Sequence, residues 1–147
     1  MSTYPGYVAT PEIRWSDQDL MGHVNNARIL TLTEDARIQW MLSLTELAES
    51  IRPTLVARTE INYRAPVHYG AEALRIELGI GRVGTTSFTI TFRGVQGGAV
   101  AFDGQNVMVL IDEAAGGTRR LTAAQREVLE GFGTYDPERP TTLTPAD

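Results

Sequence analysis

Two carboxylates, an imidazole and two asparagine amides fall within the ten residues from Asp17 to Asn26. The carboxylates are Asp17 and Asp19, and His23, Asn25 and Asn26 follow them. A carboxylate can act as a general base or a nucleophile, and an imidazole or amide can hydrogen-bond a carbonyl oxygen. The set therefore suits acyl transfer. Because Asp-x-Asp before a helix is also a common capping pattern, a purely structural role is the competing interpretation.

The elements around this segment indicate how its groups would be positioned. A strand-like run precedes it, and a long helical pattern begins at Asn26. Gly22 permits a sharp turn between the two, and Asn25 or Asn26 can cap the helix. The first turn of a helix carries unpaired N–H groups and a partial positive charge. We therefore expect Gly22 to shape a substrate-binding loop in which the amides of Val24, Asn25 and Asn26 form an oxyanion hole.

Residues 17–26, with the sequence DQDLMGHVNN, carry a resemblance to a known family. They resemble the signature of the hotdog-fold acyl-CoA thioesterases of the 4-hydroxybenzoyl-CoA thioesterase superfamily. The His-Val-Asn-Asn run is also similar to that of plant acyl-carrier-protein thioesterases. A second match is residues 62–70, NYRAPVHYG, where the family has a strand ending in Tyr-x-x-Pro and a glycine before the next strand. With the order of elements, the resemblance covers roughly residues 8–112.

The resemblance implies specific roles for these residues. Asp19 falls on the catalytic carboxylate, acting either as a general base that activates water or as a nucleophile that forms a mixed anhydride. Asn26 falls on the carbonyl-binding amide, and Asp17 on a less direct, substrate-binding partner. His23 matches the histidine of the plant enzymes, and it could bind the carbonyl, orient Asp19 or only cap the helix.

Two departures from the family pattern concern the substrate. The plant enzymes have an asparagine where this chain has Met21, so a hydrogen bond to the attacking water could be missing. The benzoyl-CoA enzymes have a basic pair before the fourth strand, whereas residues 83–86 here are VGTT, with Arg82 nearby. Arg82, Arg64 and Arg58 are candidates for binding coenzyme A phosphates, although each could equally be a solvated surface charge. The substrate could be an acyl-CoA or an acyl-carrier-protein thioester.

The hydrophobic patterning predicts an α+β fold. Apolar residues recur at helical spacing from residue 26 to about 50, and Glu34 and Arg37 are spaced to pair on the helix surface. Residues 7–15, 55–63, 74–80, 87–93 and 100–111 read as strands, the last one central, and Pro11 suggests that the first is an edge strand or contains a bulge. We expect a hotdog fold, in which an antiparallel sheet of about five strands wraps around one long helix.

Beyond this sheet, Thr122 and Gln125 fit a capping box for a short helix over residues 123–132. We expect a single domain over residues 1–135, a loose lead-in before residue 7 and a flexible tail over residues 136–147. An open sheet edge would be removed by pairing between subunits, and members of the family are dimers or dimers of dimers. The chain is therefore expected to form a homodimer or homotetramer.

The composition excludes several classes of function. The 147 residues carry a net charge of −5 and no lysine, which argues against nucleic-acid binding. No segment is apolar enough to span a membrane, and no secretory signal is evident, so a cytoplasmic enzyme is expected. The absence of cysteine excludes a thiol nucleophile and cysteine-bound zinc. His68 lies 45 residues after His23, and we expect it to be structural or on the surface, with no metal site and no cofactor.

Two functions compete with thioester hydrolysis. The first is hydration or dehydration of an enoyl-CoA on the same fold, although those enzymes resemble a pattern with Asp and His five residues apart. Here Asp19 and His23 are four apart. The second is a non-catalytic acyl-CoA-binding module, since one fold hosts many functions. An intact Asp19 and the lack of an attached DNA-binding segment favour the thioesterase.

Overall fold

The computed structural model describes residues 6–44 and 53–132. These residues form one five-stranded antiparallel sheet, a single 3₁₀ turn and two α-helices. The elements in chain order are β1 (Tyr7–Ala9), the 3₁₀ turn (Trp15–Asp17), α1 (Asn26–Ser43), β2 (Thr54–Tyr63), β3 (Arg75–Val83), β4 (Ser87–Gln96), β5 (Ala99–Leu110) and α2 (Ala123–Glu130).

The sheet wraps around α1, which confirms the predicted α+β arrangement. Its strand order is β1-β3-β4-β5-β2, and every neighbouring pair is antiparallel. Because side chains alternate along a strand, one face of the sheet turns its apolar residues toward the helix. The core that results contains Trp40 of α1 together with Ile76, Leu78, Ile90, Phe92, Phe102 and Leu110 of the sheet.

The helix α1 is shorter than the predicted span to about residue 50. It ends at Ser43, where the Ser43 hydroxyl donates to the Trp40 carbonyl at 2.6 Å. That carbonyl would otherwise accept the Leu44 N–H, which bonds instead to the Met41 carbonyl. A local side-chain hydrogen bond thus competes with continuation of the helix. Residues 45–52 lie outside the described residues.

The two edge strands also differ from expectation. β1 spans three residues rather than nine, and it ends before Pro11, which cannot donate a ladder hydrogen bond. β1 is an edge strand, as Pro11 indicated. β2 forms the other edge, so most of its residues are exposed, including Leu55 at 57%. The alternation of apolar and polar residues that indicates a strand at residues 55–63 therefore does not bury one face of β2 in a single subunit, because edge position outweighs that pattern.

Arg37 does not form the predicted surface pair with Glu34. Its side chain is buried under α1, where it donates to the Asn106 side chain at 3.4 Å. Burial lowers the pKa of Arg37, and the negative charge of Glu34 opposes that shift. The Asn106 side chain also donates to the Thr59 hydroxyl at 2.9 Å. These bonds connect α1 to β5 and β2.

The predicted short helix is confirmed as α2, with its capping box. Thr122 and Gln125 exchange the two expected side-chain bonds with each other's backbone N–H groups. Arg126 donates to the carbonyls of Val83 and Gly84, which fixes α2 beside the end of β3. The predicted tail over residues 136–147 and most of the predicted lead-in lie outside the described residues. The single-domain assignment to residues 1–135 stays a prediction.

A buried ion pair lies on the face of the sheet turned away from α1. Glu77 of β3 and Arg93 of β4 are directly opposed, and both are buried. Arg93 donates Nε at 3.0 Å and Nη2 at 2.5 Å to Oε2 of Glu77. Burial raises the pKa of Glu77, and the guanidinium of Arg93 opposes that shift. Removing one member of such a pair takes away a buried charge that stabilises the other, which is strongly destabilising.

We predict that Glu77→Leu lowers the free energy of unfolding by about 3 kcal/mol, because Arg93 loses the carboxylate that two of its N–H groups contact. The double variant Glu77→Leu/Arg93→Met should recover most of that loss, since it removes both charges. Urea titration followed by circular dichroism measures both values. Equal stability of the single variant and the wild type would contradict the assignment.

Candidate active site

The signature segment folds into a tight loop around the carboxylate of Asp19. The Asp19 N–H donates to the His23 carbonyl at 2.8 Å, and Gly22 closes the turn with φ of +77°. Oδ1 of Asp19 accepts the backbone N–H of Met21 at 2.8 Å and that of His23 at 3.3 Å. Among residues 6–44 and 53–132, the second oxygen, Oδ2, has no hydrogen-bond partner. The carboxylate is thus held through one oxygen and exposes the other.

A backbone hydrogen bond joins this loop to the second matched segment. The Val24 N–H donates to the Val67 carbonyl at 2.8 Å, and both side chains are buried. A second link is the Tyr63 hydroxyl, which donates to the Asn26 carbonyl at 3.0 Å. Partial burial raises the pKa of Tyr63. Two stretches about 40 residues apart in sequence thereby enclose one space.

That space is an open pocket of about 390 Å³. The loop contributes Asp19, His23 and Val24, and α1 contributes Asn26 and Ile29. The opposite wall consists of residues 63–67 and Phe102. The pocket therefore combines a carboxylate, an imidazole and an amide with an apolar lining, which is the composition expected for a site that binds an acyl group.

The predicted oxyanion hole is only partly available. The Val24 N–H is occupied by the Val67 carbonyl, and the Asn25 N–H donates to the Asp17 carbonyl at 2.8 Å. Asn25 instead caps α1, because its side-chain oxygen accepts the Ala27 N–H at 2.8 Å. Within the described part of the chain, the Asn26 N–H has no acceptor. The assignment of Val24 and Asn25 as carbonyl-binding amides is wrong, because the carbonyls of Val67 and Asp17 already accept these two N–H groups.

Asp17 is placed outside the Asp19 pocket, although only one residue separates the two in sequence. Its side chain is buried, and Oδ2 accepts the Arg14 backbone N–H at 2.8 Å. The guanidinium of Arg14 donates to Oδ1 at 3.3 Å, and Arg28 lies 3.9 Å from the same oxygen. The carboxylate therefore fixes the 3₁₀ turn that leads into the loop. It lines a separate, strongly charged depression that also includes Glu34.

The three candidate arginines occupy different parts of the molecule. Arg64 lines the pocket, and its guanidinium forms a two-pronged ion pair with Asp103. Arg82 is exposed near the far end of β3, roughly 20 Å along the strand from the pocket. Arg58 is exposed on β2 and pairs with Glu60 at 2.8 Å. Of these three arginines, only Arg64 lines the pocket that contains Asp19 within one subunit.

The family model of the thioesterase-like superfamily matches residues 13–132, which include both halves of the pocket. The chain belongs to the thioesterase-like superfamily. The protein YsmA of Bacillus subtilis (strain 168) is 31% identical over 120 residues, which is 80% of each chain.

Two solved structures agree with this superfamily assignment. A thioesterase from Thermus thermophilus, solved with coenzyme A and Zn, is 27% identical with a TM-score of 0.77, and the match covers 88% of this chain and 95% of that one. A predicted thioesterase from Bacillus stearothermophilus is 29% identical with a TM-score of 0.73, over 84% and 92% of the two chains. The helix-wrapped sheet is thus the hotdog fold of this superfamily.

His68 is a neighbour of the site that the sequence did not identify. Its ring contacts the ring of His23 edge to face, with centroids 5.1 Å apart and an interplanar angle of 85°. The sequence signal was present, since His68 lies in the second matched segment, directly after Val67. The spacing of 45 residues does not reveal the contact, because the two histidines become neighbours only where the folded chain joins their segments, as at the Val24–Val67 bond.

The described residues contain no group of three or more His, Asp or Glu side chains arranged to hold a metal ion. Neither described helix is long and apolar enough to cross a membrane.

We predict different stability effects for two matched variants in this loop. Asp17→Asn should lower the free energy of unfolding by about 1–2 kcal/mol, because it removes a charge that two arginines contact. Asp19→Asn should change it by less than about 0.5 kcal/mol, since an amide oxygen can accept the same two backbone bonds. Urea denaturation measures both, and a larger loss for Asp19→Asn would mean that Asp19 is structural.

Proposed function

We propose that this protein is an acyl-CoA thioesterase, which hydrolyses an acyl thioester to a free acid and coenzyme A. The observation that carries the proposal is that Asp19 and Asn26 line the same pocket, where one carboxylate oxygen of Asp19 and the N–H of Asn26 have no partner among residues 6–44 and 53–132. Membership of the thioesterase-like superfamily supports the reaction class. The coenzyme A bound to the Thermus relative supports the choice of carrier.

In the proposed reaction, the thioester carbonyl binds between the helix start and Asp19. The Asn26 N–H donates to the carbonyl oxygen, and the partial positive charge of the helix N-terminus stabilises the oxyanion that develops. Asp19 either removes a proton from the attacking water or attacks the carbonyl carbon itself. The hydrogen bonds to Oδ1 hold the carboxylate plane, so that Oδ2 is the oxygen that reacts. The acyl group lies against Ile29, Val67 and Phe102.

The other site residues receive supporting roles in this proposal. His23 lines the pocket next to the reacting carboxylate, where its ring can donate a hydrogen bond to the thioester. Gly22 provides the backbone conformation of the loop, and Asn25 holds the start of α1. Arg64 keeps a positive charge at the pocket mouth, although its pairing with Asp103 limits what remains for a phosphate.

We predict that Asp19→Asn lowers kcat by about 10²- to 10⁴-fold, because the amide can neither accept a proton nor attack the carbonyl. The assay measures thiol release with a panel of acetyl-, hexanoyl-, lauroyl-, palmitoyl-, benzoyl- and 4-hydroxybenzoyl-CoA. Asp35→Asn removes an exposed carboxylate from the outer surface of α1, and it serves as the matched control with unchanged turnover.

Wild-type turnover by Asp19→Asn would overturn the mechanism. The competing functions predict other results when an enoyl-CoA is added to the panel and its ultraviolet absorbance is followed together with thiol release. A hydratase would consume the ultraviolet absorbance of an enoyl-CoA without releasing thiol. A binding module would retain acyl-CoA with no turnover of any kind.

We further propose that the enzyme is a homodimer in which two subunits pair the free edges of β2. Among the strands that the structure describes, β2 pairs only with β5, so its other edge is available for pairing with a second subunit. Leu55 and Val56 are 57% and 41% exposed on that strand, and Ile38 and Leu42 of α1 lie beside it with similar exposure. A partner subunit would cover both the edge and these apolar side chains.

We predict that Leu55→Glu converts the dimer to a monomer, because it places a charge where two identical strands would meet. Sedimentation velocity measures the mass, and circular dichroism checks that the sheet is retained. Thr85→Glu, in the exposed β3–β4 turn, is the control and should remain dimeric. A wild-type monomer, or a dimer that survives Leu55→Glu, would contradict pairing through β2.

A further inference from the structure

We propose that His68 is a positioning residue for His23. The inference rests on the proposed function, because it assigns to His68 the task of holding the His23 imidazole toward the pocket where the thioester binds. The ring contact of 5.1 Å between the two histidines is the observation that carries it.

The backbone brings the two rings together in a defined way. Val24 and Val67 are joined by a hydrogen bond, and His23 precedes one while His68 follows the other. This bond holds the backbones on either side of it close together, and the rings of His23 and His68 meet there. The two imidazoles lie at an angle of 85°, the edge-to-face geometry that aromatic rings favour.

His23 has few other constraints on its ring. Its backbone N–H and carbonyl both bond to Asp19, which fixes the main chain of the loop. Within residues 6–44 and 53–132, however, neither imidazole forms a hydrogen bond. The ring of His68 is consequently the contact that limits how the ring of His23 can rotate. Without it, the imidazole could turn from the pocket toward solvent.

His68 is itself held from the opposite side by Gln96 at the end of β4. The Gln96 side-chain oxygen accepts the His68 N–H at 2.9 Å, and its amide nitrogen donates to the His68 carbonyl at 2.9 Å. The same nitrogen donates to the Glu72 carbonyl at 2.8 Å. This clamp acts on the backbone of His68 and leaves its side chain free to contact His23. The sheet thereby supports His23 indirectly, because Gln96 holds the backbone of His68 and the ring of His68 contacts the ring of His23.

The test compares His68→Ala, which removes the ring, with His68→Phe, which keeps an aromatic ring able to pack edge to face. With the acyl-CoA of the panel that the wild type hydrolyses fastest, His68→Ala should lower kcat by about five- to tenfold and change KM by less than about twofold. His68→Phe should remain within about twofold of the wild type. In a His23→Ala background, His68→Ala should have almost no further effect, because the group that it positions is gone.

Nuclear magnetic resonance provides a readout that does not depend on turnover. The chain has two histidines, so each single variant leaves one set of imidazole signals to observe. His68→Ala should shift and average the His23 ring signals, whereas His68→Phe should keep them dispersed. Unchanged His23 signals in His68→Ala, or effects of His68→Ala and His23→Ala that multiply, would overturn the inference. A failure of Asp19→Asn to reduce turnover would instead reject the proposed function.

Discussion

The hydrogen bond from the Val24 N–H to the Val67 carbonyl is the interaction on which the site depends. At 2.8 Å it joins the loop before α1 to the segment after β2, and both side chains are buried in the core. Because neither segment belongs to a long regular element at that point, their relative position rests on this contact and on the Tyr63 bond to Asn26. Asp19, His23 and the start of α1 face the wall of residues 63–67 as a result. The same bond also brings His23 and His68 together.

The two aspartates of this loop, Asp17 and Asp19, lie in different environments. Asp17 and Asp19 are both carboxylates at the entrance to a helix, yet one is buried between arginines and the other is exposed to the pocket. The two asparagines divide in the same way. Asn25 uses its side chain to cap α1, while Asn26 lines the pocket. Among the described residues, Asp17 and Asn25 thus satisfy polar groups of the loop, whereas Oδ2 of Asp19 and the Asn26 N–H, which carry the proposed chemistry, have no partner.

Local patterns in the sequence predicted much of the fold, but not the contacts made by neighbours in space. The alternation along β3 and β4, the apolar run in β5 and the capping box at Thr122 are local signals, and the predicted strands and short helix are confirmed. α1 ends at Ser43, where the Ser43 hydroxyl bonds to the Trp40 carbonyl. The periodicity of apolar residues cannot indicate such a bond. β2 is exposed because it lies at the sheet edge, and Arg37 is buried where its side chain bonds to Asn106 of β5.

The parts of the candidate site that could be predicted from the sequence are the residues of the segment that resembles the family. Asp19, His23 and Asn26 do line one pocket, and Gly22 does form the turn. The loss of Val24 and Asn25 as carbonyl-binding amides could not be foreseen, because their acceptors, the carbonyls of Val67 and Asp17, are set by the folded loop. The contact of His68 with His23 could not be foreseen either, because it too is set by how the two segments fold against each other.

A crystal structure with an acyl-CoA analogue whose thioester sulfur is replaced by a methylene group tests the central claim most directly. The proposed site predicts that the ketone oxygen lies about 3 Å from the Asn26 nitrogen. It also predicts that Oδ2 of Asp19 reaches the ketone carbon, either directly or through one water. A ketone bound beyond the reach of both groups would contradict the proposed site.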